Sequence, residues 1–306
     1  MVKIINRSDI LTEKINPKSE RIDAMSTEEI IHLINEEDAT IHFAVQKVVP
    51  EIAQATDIVV KAFRNGGRLH YIGAGTSGRL GVLDASEIPP TFSVSPDMVQ
   101  GIIAGGWRAL REAVEGAEDY EDSGESDCKA IGLTPKDVLI GIATGGTTPY
   151  VHGGLKYAKF IGCKTVFFTC TPRKGLGIDE AVDVFIEVLV GPELITGSTR
   201  MKAGTATKMV LNMITTTAMI KMGKVYGNYM IDHQAINSKL VDRGTRIIST
   251  LTGLSYDDAY QALLAADKHL KVAVVMVKLN VSFDKAQDLI KEHNGFIRFA
   301  FEESVQ

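Results

Sequence analysis

Short apolar runs alternate with stretches of helical periodicity over the first two thirds of the chain, and the runs are gone from the last third. The runs lie at 68–72, 99–104, 137–143, 164–169 and 183–188. Unbroken hydrophobic segments of this length, bounded by glycine and polar residues, predict strands buried on both faces. Helical spacing recurs between them near 107–117, 149–162 and 174–181, and strands alternating with helices predict a parallel sheet covered on both faces. Ahead of the sheet, Ser26 followed three residues later by Glu29 predicts a capping box. Ile41, Val45, Val48, Ile52, Ala55, Val59 and Phe63 then continue at helical spacing. Pro50 interrupts that pattern and predicts either a kink or a first-turn position. Asn65-Gly66-Gly67 ends it. The first ~25 residues read as an extended arm, since Asn16 precedes Pro17 and is pushed out of the α region. From Met201 onward the pattern predicts helices only, over 201–222, 233–250, 256–267, 269–279, 284–293 and 295–304.

Composition narrows the function classes. The chain has 306 residues, 45% hydrophobic and 23% charged, enough apolar material for a large core. Lys and Arg number 33 against 38 Asp and Glu, a net charge of −5. An acidic chain with only 7% aromatic residues is a poor partner for nucleic acid, and no helix-turn-helix with a basic recognition helix is legible. The apolar run 272–277 falls far short of the ~20 residues that a membrane span needs. The opening residues are charged throughout, unlike a secretory signal. Cys128, Cys163 and Cys170 form no C-x-x-C pair and predict buried thiols in a reducing, cytoplasmic compartment, with no metal site.

Three glycine- and hydroxyl-rich loops carry the candidate chemistry. The first, 71–81 (YIGAGTSGRLG), follows a strand and opens a helix. It superficially matches the dinucleotide fingerprint, but Pro89-Pro90 and the irregular stretch around them spoil a clean βαβ unit. Gly75, Thr76 and Ser77 instead suit a phosphate cradle, in which backbone N–H groups, the helix N-terminus and hydroxyls converge on an anion. The plainer alternative is a strand–helix turn that needs glycines. The second loop, 143–149 (ATGGTTP), repeats the pattern with Thr144, Gly145 and Thr147. Two such loops at the carboxyl ends of parallel strands form a ligand crevice, and without a Walker lysine they point to a sugar phosphate. The third, 191–205, leads into the 201–222 helix and reads either as a loop that closes on an anion or locks a subunit interface, or as a helix-capping loop with Arg200 and Lys202 in solvent. Among the histidines, His70 lies inside a strand and reads as a core residue. His233 stands alone.

The segments GAGTSGRLGVLDASEIPPTF (73–92), IIAGG…AVEGAEDYEDSG (102–124) and GPELITGSTRMKAGTATK (191–208), with LTEKINPKSERID at 11–23, closely resemble the N-acetylmuramic acid 6-phosphate etherases. These are bacterial cell-wall recycling enzymes built on a sugar isomerase (SIS) domain. The last motif is shared with the animal glucokinase regulatory protein. The resemblance implies a three-layer α/β sandwich with a parallel, flavodoxin-like SIS sheet flanked by helices, plus a small all-helical C-terminal region. The division expected is an N-terminal arm and helices over 1–50, a sugar-phosphate-binding SIS domain over 51–225 and a helical region over 226–306. It also implies a homodimer, and a lyase that eliminates D-lactate from the sugar and rehydrates the product, with no metal or redox cofactor. Glu87 matches the family's catalytic acid and Glu118 its second catalytic glutamate. Only the resemblance separates Glu118 from Glu115, which stands three positions away on a predicted helix. Where family members usually carry Cys, this chain has Ile88. Lys239 is a further candidate for offsetting substrate charge. Two other readings share the fold: a sugar phosphate sensor without catalysis, against which both glutamates argue, and an aldose–ketose sugar phosphate isomerase, which needs one base but no acid at Glu87.

Overall fold

The computed structural model describes residues 10–232 and 237–303. His233 lies outside them. The chain divides into two units, Met1–Ser86 with Pro96–Thr215, and Glu87–Ser95 with Thr216–Gln306.

In the first unit a 3-10 turn at Leu11–Glu13 precedes α1 (Thr27–Asp38), α2 (Ile41–Gln46) and α3 (Val49–Arg64). Ser26 and Glu29 make the expected reciprocal capping box. Pro50 takes the first turn of α3, where its missing N–H costs nothing. The sheet follows: β1 (Leu69–Gly73), α4 (Gly75–Phe92), β2 (Val99–Ile103), α5 (Gly106–Ala109), α6 (Glu121–Ala130), β3 (Val138–Ile142), α7 (Pro149–Phe160), β4 (Lys164–Thr169), β5 (Val184–Glu187) and α8 (Lys202–Lys221). All five strands are parallel, in the order β2-β1-β3-β4-β5. This is the flavodoxin-like order expected; β2 to β5 fall within their predicted runs, and β1 extends one residue past its own.

Both faces of the sheet are buried. One packs Ile72, Leu139 and Phe167 with Leu155 of α7 and Cys128 of α6. On the other, α4 lies so close that a Cβ on Gly81 would stand 2.8 Å from Tyr71 Cβ. Buried Asp84 fixes that helix, accepting hydrogen bonds from Tyr71 (2.8 Å), Asn212 (2.6 Å) and Thr215 (3.2 Å). The threonines of α8 do not break it. Thr207 and Thr215 donate back to the carbonyls of Ala203 and Leu211 one turn earlier.

Three local expectations need correction. The helix predicted over 107–117 shrinks to the single turn of α5, because Gly105, Gly106 and Gly116 adopt positive φ. Segment 174–181 holds only a 3-10 turn at Asp179–Ala181, after Gly175 and Gly177 at positive φ. The stretch at Pro89-Pro90 is not irregular. Both prolines lie in the last turn of α4, and Ser93 N closes the end on Pro89 O at 2.9 Å.

The second unit holds a two-residue hairpin, β6 (Val225–Tyr226) and β7 (Tyr229–Met230), which the apolar pattern was too short to reveal. Five helices follow: α9 (Ser238–Thr252), α10 (Tyr256–Ala265), α11 (Leu270–Leu279), α12 (Phe283–Glu292) and α13 (Ile297–Glu303). Asn237, Ser255 and Ser282 cap α9, α10 and α12. Ile248, Leu263, Leu270, Val274 and Ala286 meet in their core. Among the described residues no helix is long and apolar enough to cross a membrane.

His70 sits inside β1 with neither ring nitrogen hydrogen-bonded among the described residues. Burial, with Arg68 nearby and against the pull of Asp137, lowers its pKa to about 4. The unfolded chain therefore binds a proton near pH 6.5 that the folded chain refuses until about 4, so stability falls on acidification across that window. Chemical denaturation at pH 7 and 4.5 checks this. His70→Leu shrinks the difference between the two pH values by about 2 kcal/mol.

Candidate active site

The carboxyl ends of β1 and β3 lie side by side, since Gly73 pairs with Ile142. The chain leaves β1 toward one side of the sheet and β3 toward the other, which opens a crevice between their loops. The turn after β1 is built from close approaches. A Cβ on Gly78 would come within 2.7 Å of Gly73 O and 2.6 Å of Ile103 Cγ1, and Gly75 takes φ +53°. The first turn of α4 thus rests on the end of the strand, with the free amides and positive end of an 18-residue helix above it.

The turn after β3 is pinned from behind. Thr144 O accepts from Cys170 N at 2.9 Å and from the Thr169 hydroxyl at 3.3 Å, while His152 Nε2 bonds Gly146 O at 2.7 Å. Gly146, at φ +77°, packs against Leu176 and Thr171.

Between these turns lies a hollow of about 260 Å³. Gly75, Thr76 and Ser77 line it from the first loop and Thr144, Gly145 and Thr147 from the second, with Glu118 at its edge. A second hollow, of about 190 Å³, shares Ala74, Gly75 and Glu118 with the first and adds Arg79 and Glu115. Glu118 and Glu115 do not share a helix as expected. They occupy the turn around Gly116, whose φ is +74°. Glu118 is held there by its own backbone: its carbonyl accepts from Tyr150 N at the start of α7, at 3.0 Å. Both side chains are exposed. Glu87 and Lys239, in the second unit, line neither hollow. Glu87 is an exposed residue of α4, and Lys239 an exposed residue in the first turn of α9.

Other wall residues gave no separable signal in the sequence. Thr12, from the arm, lines the first hollow; it is fully buried and its hydroxyl has no partner among the described residues. Gly197 and Thr199 of the third loop line it too, and Gly197 N donates to Thr12 O at 3.2 Å. All three fall in conspicuous motifs, but only the folded chain brings arm and third loop to the same place.

Buried ionic contacts hold that wall. Glu193, fully buried, accepts from Lys202 N (3.0 Å) and Ala203 N (2.9 Å) and so caps α8. Lys202 is not in solvent: its Nζ donates to Glu37 at 2.6 Å, and both side chains are under one tenth exposed. Lys18 (2.8 Å) and Asn16 (3.0 Å) complete the set around Glu37, and Asn16 also donates to Pro192 O at 3.3 Å. Burial works to raise the Glu37 pKa, but the hydrogen bonds from Lys18, Lys202 and Asn16 prevail and bring it down to about 2. Among the described residues no three His, Cys, Asp or Glu side chains cluster to hold a metal ion.

Residues 51–159 match the model of the glucokinase regulatory protein N-terminal SIS domain. The chain is 51% identical to N-acetylmuramic acid 6-phosphate etherase 2 of Vibrio parahaemolyticus over 296 residues, covering 97% of this chain and 98% of that one. It is 50% identical to the N-acetylmuramic acid 6-phosphate etherase of Escherichia coli O81 over 293 residues, 96% and 98% of the two chains. Among solved structures, a phosphoheptose isomerase from Francisella tularensis is similar at a TM-score of 0.48 and 20% identity, covering 62% of this chain and 98% of that one.

Breaking the Glu37–Lys202 pair from one side strands a buried charge. Glu37→Gln alone, which takes away the carboxylate that buried Lys202 Nζ donates to, is expected to cost about 3–5 kcal/mol of stability, and Glu37→Gln with Lys202→Met much less. Urea denaturation of the two variants checks the order.

Proposed function

The chain belongs to the N-acetylmuramic acid 6-phosphate etherases, and from that premise we propose how its residues divide the work. The reaction is a carbon–oxygen lysis that releases D-lactate and leaves N-acetylglucosamine 6-phosphate, a step of amino sugar recycling. The ether at C3 is unactivated, so direct displacement is hard. Opening the sugar ring exposes an aldehyde at C1, which acidifies the proton at C2. A base takes that proton, lactate leaves from C3 with a proton delivered to its oxygen, and water adds to C3 of the unsaturated aldehyde.

The phosphate rests in the first hollow, on the amides at the start of α4 and the hydroxyls of Thr76, Ser77, Thr144 and Thr147. Glu118 is the base at C2. The observation that carries this role is its place at the join of the two hollows, one suited to phosphate and the other open to the reacting end of the sugar. Glu87 is the acid on the leaving oxygen, on the strength of its motif, DASEIPP. Glu115 flanks the second hollow as a binding residue, and Lys239 offsets substrate charge. Each of the two acid–base groups is worth about 10²–10⁴-fold in rate. The same reading has the enzyme working in the cytoplasm as a homodimer of SIS domains, resting on the family resemblance.

Turnover of N-acetylmuramic acid 6-phosphate in ¹⁸O-water tests the chemistry. Label at C3 of the sugar product and unlabelled D-lactate are expected. Label in the lactate overturns elimination, and tight binding without turnover overturns the lyase. Glu118→Gln and Glu87→Gln should each cut lactate release by about 10²–10⁴-fold with the substrate still bound. Full activity in either variant removes that residue from its role.

A further inference from the structure

The substrate carries two anions, and the two hollows are unlike in charge. Among the described residues the phosphate hollow is lined by hydroxyls, a helix N-terminus and the acids Glu13 and Glu118, and by no cation. In the hollow beyond Glu118, Arg79 is the only cation among the described lining residues. Arg79 stands one turn into α4 and is half-buried. Its Nη2 donates to Glu112 O at 3.1 Å. No carboxylate among the described residues pairs with it: Glu112, the acid whose carbonyl it touches, turns its own carboxylate to Arg108 at 2.8 Å. A guanidinium has five donors in a planar fork that matches a carboxylate two-to-two. One carbonyl leaves most of that fork unused, beside the acids Glu115 and Glu118 that line the same hollow.

We propose that Arg79 receives the carboxylate of the lactyl group. The inference rests on the reading of the first hollow as the phosphate site, since that fixes which end of the sugar reaches the second. A phosphate bound at the start of α4 leaves the lactyl ether to extend past Glu118 toward Arg79. The fork then orients the leaving group as its C3–O bond breaks, and it holds the lactate charge where Glu115 and Glu118 would otherwise repel it. Arg79 is therefore a specificity-determining residue: it separates the lactyl sugar from sugar phosphates that lack a second anion.

The test compares two ligands that differ in that carboxylate. Arg79→Gln and Arg79→Lys are assayed for kcat and KM with N-acetylmuramic acid 6-phosphate, and for calorimetric affinity for N-acetylglucosamine 6-phosphate. A hydrogen-bonded charge pair is worth about 10–100-fold. Arg79→Gln should lose that factor in kcat/KM for the lactyl sugar and leave affinity for the product unchanged, with Arg79→Lys in between because a point charge cannot fork. Equal loss for both ligands, or none for either, overturns the proposal, the first outcome making Arg79 a prop for the 111–119 turn. Should Arg79→Gln fail to fold, Arg79→Lys decides by the same ratio between ligands. Wild-type enzyme that binds neither sugar phosphate overturns the reading of the first hollow instead, so the two failures are distinct.

Discussion

The reversal of connection direction between β1 and β3 is the constraint from which the site follows. Adjacent parallel strands whose crossovers depart to opposite sides cannot both cover the gap at their carboxyl ends. The gap is filled by whatever the two turns supply. Here both turns supply glycine and hydroxyl groups, and a helix starts directly after each. The glycines have a steric reason apart from flexibility: Gly73 and Gly78 touch backbone to backbone, which seats the first turn of α4 on the strand. Without that contact the helix N-terminus would stand too far off to act on an anion, because its field fades within a turn.

A second constraint encloses the crevice. The arm, α1, the third loop and the start of α8 are far apart in sequence, and Glu37 gathers them through Lys18, Asn16 and Lys202. A buried ion pair is a costly fastener, since both charges must leave water. Its merit is that it is specific: a carboxylate accepting from three partners fixes where each one sits. Glu193 extends the same logic to the head of α8 by satisfying two amides that the helix cannot. The wall formed by Thr12, Gly197 and Thr199 owes its position to these contacts.

The five strands were legible in the sequence because a strand buried on both faces must be apolar throughout, and nothing else in the first two thirds of the chain is. The two phosphate-type loops were legible for the same reason, as punctuation between such runs. What the pattern misplaced was backbone that glycine controls: the turn at Gly116 looks helical by its neighbours, because Ala113, Ala117 and the glutamates are good helix formers. A positive φ at Gly116 removes the helix and with it the supposed common face of Glu115 and Glu118. Long-range polar pairing was also illegible. Nothing local marks Lys202 as buried, Thr12 as part of a wall or Arg79 as a guanidinium without a carboxylate, since each fact depends on a partner many residues away or on its absence.

The two hollows divide the electrostatic work in a way that suits elimination. On the proposed reading the phosphate is only carried through the reaction, and neutral donors with a helix dipole would hold it with no cation among the described lining residues. The end of the sugar where bonds change is different. A base there must be anionic to remove the C2 proton, and an anionic leaving group must depart beside it. The proposed roles put Glu118 between a hollow with no cation among its described lining residues and one where Arg79 is the cation, so both demands fall within reach of a single turn. In that proposal the departing lactate meets the Arg79 guanidinium as it leaves.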